Sequence, residues 1–168
     1  MESSFSPTEN ILDTYNSMQS DFPHEEVKLT RLSMHTYTKL LEYRNKNFKA
    51  KDINETLFMA LVILNVQENK SIQPSELSLA LGSSRTNATR IADDLEKKGW
   101  IVRKESGSDR RCLHLFLTDA GQAFLDNLFP QQNANLLKVW SVFTDEERQQ
   151  LEHLNRKLLT RLEAIEQA

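Results

Sequence analysis

The stretch from Pro74 to Leu117 narrows the choice of fold more than any other part of this chain. Pro74 suits the first position of a helix, where its missing N–H is not needed. Leu77, Ala80 and Leu81 follow at helical spacing, and Gly82 can take the left-handed conformation that ends a helix. Ser83 or Ser84 can cap the next helix. There Ala88, Ile91, Ala92 and Leu95 form a narrow apolar stripe, and Gly99 ends the helix behind Lys97 and Lys98. Two short helices joined by a tight Gly-Ser turn read as a helix-turn-helix. Trp100–Glu105 is a short strand-like run, Ser106–Asp109 a turn cluster, and Cys112–Leu117 alternates with Leu113, Leu115 and Leu117 on one side. That is a β-hairpin set directly after the helix pair.

The second helix carries Arg85, Thr86, Asn87, Thr89 and Arg90 off its apolar stripe, all near its N-terminal end. Arg can bond guanine bidentately, Asn can bond adenine, and Thr can touch a thymine methyl or a phosphate. A recognition helix puts that end into the major groove. Taken alone, such a face is equally a solvated helix surface. The hairpin decides between the two, because its tip carries Asp109, Arg110 and Arg111. An arginine tip beside a recognition helix can reach the minor groove or the flanking phosphates, with Asp109 bracing one arginine. The expected DNA-binding set is Ser83, Ser84, Arg85, Thr86, Asn87, Thr89 and Arg90 with Asp109, Arg110 and Arg111.

Two segments resemble the MarR family of bacterial transcription regulators. They are Ser84–Arg103 and Ser108-Asp-Arg-Arg-Cys-Leu-His-Leu-Phe-Leu-Thr-Asp-Ala-Gly121. The Asp-Arg-Arg wing followed by Leu-Thr-x-x-Gly is that family's most recognisable motif. Asn54–Leu61 and Ile72–Leu77 resemble, more narrowly, its branch of multidrug-efflux repressors. The resemblance implies a homodimeric winged helix-turn-helix that binds a pseudo-palindromic operator. It also implies relief by a small lipophilic or phenolic ligand held between a dimer layer and the winged helix. Candidates for that pocket are Met34, His35, Tyr37 and Thr38, with Phe58 and Phe124 opposite. Met and aromatic residues at such spacing are also ordinary core.

Net charge bears on the DNA reading. The chain is −3 overall, yet Ser83–His114 holds eight basic and five acidic residues, +3, which leaves −6 elsewhere. A basic face on an acidic body suits a soluble DNA-binding protein.

The remaining segments frame this core. Met1–Phe22 reads as a loose arm with one short helix at most. Glu25–Phe48 reads as a long helix with Val27, Met34, Leu41 and Phe48 every seventh residue, more apolar stripe than a small domain covers. Asn54 caps a helix, Glu55–Gln67, that is apolar nearly all round and so belongs at the centre. Ser71-Ile72 can add a third strand beside the hairpin. Thr118 can cap a helix to about Leu128, which Pro130 interrupts or kinks. Thr144–Glu147 is a capping box for a last helix with Leu151, Leu154, Leu158, Leu162 and Ile165. The expected architecture is mainly α with a small β-hairpin wing, in a single domain. Residues 1–23 form an N-terminal arm, 24–50 and 119–168 a helical dimerisation layer, and 54–118 the DNA-binding core.

Other chemistry is poorly represented. None of the four histidines has a second His or Cys at metal-ligand spacing, so no metal or cofactor is expected. Phosphate loops, nucleophile elbows and triad spacings are missing, which argues against an enzyme. The single cysteine, Cys112, reads as a small strand residue in a reducing cytoplasm. No apolar run approaches membrane-spanning length, and the acidic N-terminus does not look like a signal peptide. Two other readings stay open: a regulator of surface-structure, motility or virulence genes on the same scaffold, and a winged helix that binds protein rather than DNA. The second predicts an uncharged recognition face.

Overall fold

The computed structural model describes residues 3–167 except 107 and 108, with the backbone alone for 106 and 109–112. The expected Ser106–Asp109 turn and the side chains of Asp109, Arg110, Arg111 and Cys112 therefore lie outside the described residues. The elements run α1 (Ser6–Met18), α2 (His24–Lys49), α3 (Glu55–Val66), β1 (Ser71–Ile72), α4 (Pro74–Ala80), α5 (Arg85–Lys97), β2 (Ile101–Ser106), β3 (Asp109–Leu117), α6 (Asp119–Trp140) and α7 (Asp145–Glu166). They fall into two compact units, Met1–Thr118 and Asp119–Ala168.

In the first unit α3 is the centre. The Asn54 side chain accepts a hydrogen bond from the Leu57 N–H at 2.9 Å, which starts the helix. Leu57, Phe58, Ala60, Leu61 and Leu64 are then buried in turn, as a helix apolar on most sides requires. Phe48, at the end of α2, is fully buried, its ring 5.1 Å from that of Phe58. The Arg44 guanidinium lies over both rings and pairs with Glu55. Leu77, Leu95, Ile101 and Leu115 complete the core, one each from α4, α5, β2 and β3.

The sheet is antiparallel, in the order β1-β3-β2. Ile72 pairs with Leu115, so Ser71-Ile72 is indeed a third strand. From Ile101↔Leu117 to Glu105↔Leu113 the hairpin keeps one register, which shifts at Ser106. Leu115 is buried, but Leu113 is exposed, so the expected apolar side of β3 fades toward the wing. The Thr118 hydroxyl donates to the Gly99 carbonyl at 2.7 Å, closing the end of β3 onto the turn after α5.

The N-terminal segment is a packed helix rather than a loose arm. Phe5 and Leu12 are buried, and α1 lies on the first half of α2. Polar contacts join the pair: Ser4 with His35 at 2.8 Å, Asp13 with His24 at 2.9 Å, and Glu9 with Lys28 at 3.7 Å. The outer stripe of α2 stays exposed at Leu29, Leu32, Met34 and Tyr37.

In the second unit α6 continues through Pro130 as one helix, so of the two expected effects, interruption or kink, the interruption does not occur. Proline costs a helix one N–H bond and a clash with the carbonyl four residues back. Leu125 and Leu128 before it and Gln132 after it are all buried, and that packing keeps the turn helical. In α7 the capping box is present, with Thr144 and Glu147 bonding each other's backbone N–H. None of its residues is buried, and Leu154, Leu158, Leu162 and Ile165 stand in a row half exposed. No helix is long and apolar enough to cross a membrane among the described residues.

Candidate nucleic-acid interface

The helix pair is built by a chain of local devices. The Gln73 N–H bonds the Glu76 carboxylate at 3.0 Å, a capping box that starts α4 behind Pro74. Gly82 has φ +57°, and a Cβ built there meets nothing within 4 Å, so its backbone conformation alone calls for glycine. Ser78 then closes the turn twice. Its carbonyl accepts from the Ser83 N–H at 3.0 Å, and its hydroxyl donates to the Ser83 carbonyl at 2.6 Å. Ser78 is buried, whereas Ala80, expected on the apolar side, is exposed. Ser78→Ala should therefore cost about 1–2 kcal/mol, as buried hydrogen bonds do. Urea unfolding at fixed protein concentration measures it, and a loss below a few tenths would show the turn closes without the hydroxyl.

Ser84 is the cap of α5, its hydroxyl accepting from the Asn87 N–H at 3.2 Å. Ser83 is half-buried in the turn, and its hydroxyl oxygen is buried with no hydrogen-bond partner among the described residues. Ala88, Ile91, Ala92 and Leu95 form the buried stripe as expected. Opposite them Arg85, Thr86, Thr89 and Arg90 are exposed and Asn87 is half-buried. Thr89 folds its hydroxyl back onto the Arg85 carbonyl at 3.0 Å and so presents its methyl group. Arg90 donates to the Asn87 amide oxygen at 3.1 Å. No described carboxylate lies within salt-bridge distance of Arg85 or Arg90.

Two cations counted toward the basic face are already neutralised. Arg103 on β2 reaches Asp93 and Glu96 of α5, each at 2.6 Å. Lys98 pairs with Asp52. Sequence spacing gave no sign of either pair, since both join different elements.

The proposed ligand residues do not converge within the first unit. Met34 and Tyr37 are 58% and 65% exposed, and the Thr38 hydroxyl is spent on the Met34 carbonyl at 2.9 Å. His35 is taken up by Ser4 and by the Phe5 ring, 5.6 Å away. Phe58 is core beside Phe48. Phe124 belongs to the other unit, where it is half-buried. A cleft of about 950 Å³ opens instead at the far half of α2, and of the candidates only Thr38 lines it. Its apolar wall is Leu41, Ile53 and Leu57, and its rim is of mixed charge, with Lys46, Lys49, Lys97 and Lys98 beside Glu42, Asp52 and Asp94. No cluster of three or more potential metal ligands occurs among the described residues.

A profile of the MarR family matches residues 53–113. The chain is 60% identical to the transcriptional repressor MprA of Escherichia coli K12 over 167 residues, 99% of this chain and 95% of that one. It is 35% identical to the HTH-type transcriptional regulator PapX of Escherichia coli, over 94% and 96% of the two chains. Among solved structures, a mutant MarR from Escherichia coli complexed with operator DNA matches with a TM-score of 0.74 and 27% identity. That match covers 83% of this chain and 99% of the other.

Proposed function

The chain belongs to the MarR family of transcription regulators, and from that premise we propose that it is a DNA-binding repressor acting as a homodimer in the cytoplasm. The observation that carries this reading is the exposed N-terminal face of α5, where Arg85 and Arg90 meet no described carboxylate. Full-length similarity to a named repressor supports the sign of regulation. A protein-binding winged helix would present a less cationic face.

In this reading Ser84–Arg90 enters the major groove of each half-site, and Arg110 and Arg111 reach the minor groove beside it. Residues 54–118 are the DNA-binding core. Residues 24–50 and 119–168 make the dimer layer, which sets the two recognition helices about 34–36 Å apart on a pseudo-palindrome. Exposed apolar rows on α2 and α7 support that assignment. A lipophilic or phenolic effector relieves repression of an efflux or stress operon. The cleft beside Thr38 is our candidate for its seat, supported by an apolar wall of Leu41, Ile53 and Leu57 under a rim of lysines and carboxylates.

Arg90→Ala tests the interface. If Arg90 reads a base edge, binding to the selected operator should weaken by about 1–3 kcal/mol and the matching base should lose its preference. If it holds only phosphate, the loss should be equal on all sequences and the salt slope should drop by about one. Unchanged affinity in a folded Arg90→Ala protein would remove the α5 face from the reading.

A further inference from the structure

Arg103 stands on β2, yet its side chain points at the recognition helix. One guanidinium nitrogen donates to Glu96 at 2.6 Å and the other to Asp93 at 2.6 Å. Its own backbone N–H donates to the second Glu96 oxygen at 3.3 Å. Asp93 and Glu96 are one helical turn apart, so a single planar fork spans both. A lysine ammonium cannot make that pair of directed bonds. The three groups are 23%, 49% and 39% exposed, and ion pairs that wet contribute little to folding. The arrangement does something geometric: it ties the first strand of the wing to the middle of α5. Arg103 pairs with Leu115 in the last regular stretch of the hairpin, just before the register shift at Ser106.

We infer that Arg103 is a positioning residue that clamps the wing to the recognition helix, so that both elements meet DNA in one fixed relative orientation. The inference rests on the proposed function, in which the wing touches DNA. A wing already held in place loses less conformational freedom on binding, and that saving appears as affinity. The guanidinium also offsets one of the two carboxylate charges on a helix that must approach a polyanion. Removing Arg103 would therefore mix a loss of position with a gain of negative charge. Removing its partners separates the two effects, because the charge change then has the opposite sign.

The experiment compares full-length wild type, Asp93→Asn/Glu96→Gln, Arg103→Lys and Arg111→Ala. The DNA is the duplex that wild type selects from a random library, rebuilt with A·T-rich or G·C-rich flanks. The double variant is two charges more positive, so simple electrostatics predicts tighter binding. Clamping predicts the reverse: about tenfold weaker binding on A·T-rich flanks, where a narrow minor groove makes wing contacts count most, and less change on G·C-rich ones. Arg103→Lys, which keeps the charge and loses the fork, should weaken the same flank. Backbone order parameters for 101–105 and 113–117 should fall in both free proteins, a change that a charge effect alone would not produce. Equal or tighter binding by the double variant overturns the clamp. If Arg111→Ala weakens A·T-flank binding while the double variant does not, the clamp alone fails. If Arg111→Ala is silent on both flanks, the wing reading fails and the inference falls with it. Should the double variant lose its helical signal, Asp93→Asn, which leaves the Glu96 bond, is judged by the same criteria.

Discussion

Leu158→Asp is expected to turn the protein into monomers at concentrations where wild type is fully dimeric. Leu154, Leu158, Leu162 and Ile165 form one row on a helix of 22 residues with no buried position. Such a row in water is a cost unless a second copy covers it. A twofold seam places each of these leucines in the interface twice, so one substitution introduces two charges. Burying an unpaired carboxylate there costs several kcal/mol, more than most interfaces can absorb. Operator binding should fall with it, by about 100-fold or more, because each half-site then binds without the effective concentration that linkage provides. Sedimentation of Leu158→Asp and Leu162→Asp reads the first effect and operator titration the second. An intact dimer in both variants would move the seam elsewhere, with the exposed row on α2 the next place to look.

Phe48→Ala is expected to be the most damaging single truncation in the first unit. The ring is fully buried against Phe58 and under the Arg44 guanidinium. Deleting a buried phenyl ring costs about 3–5 kcal/mol through lost transfer energy and the cavity left behind. Here Arg44 and Glu55 also lose the surface they are paired over. For a chain of this size the midpoint of thermal unfolding should fall by roughly 10 °C. Calorimetry at one protein concentration reads it, since dimerisation makes the midpoint concentration-dependent. A loss under about 1 kcal/mol would mean that α2 and α3 close over the gap.

The features legible in the sequence are those that depend on neighbours along the chain. Gly82, the Ser84 cap, the stripe Ala88–Leu95 and the box Thr144–Glu147 are each set by spacing within one or two turns. The strand at Ser71-Ile72 was readable because its partner runs alternate. What escaped depends on contacts between distant elements. Nothing in the spacing around Ser78 singles it out, and only its burial next to the turn makes it a closing bolt. Arg103 counted as surface charge because nothing in the chain order brings it to Asp93 and Glu96. An interruption at Pro130 was one expectation because intrinsic preference ignores buried residues on both sides of it. The first helix looked loose because its few apolar residues gain value only on α2, where His24 and His35 meet it. Among the ligand candidates, helical spacing puts Phe58 on one face of α3, but says nothing of Phe48 packed against it there.

The bond between Arg90 and the Asn87 amide has a consequence for how an operator is written. Two side chains that could each query a base are joined before any DNA arrives. Whatever Arg90 grasps moves the amide oxygen of Asn87, and the reverse holds as well. In the proposed interface, the bases under them would be read as one word rather than as two letters. Substituting both at once should give a penalty that differs from the sum of the two single penalties, as interacting groups do. A scoring table with an independent column for every base pair would misjudge those doublets, and only a table with paired entries at those positions would rank natural sites correctly.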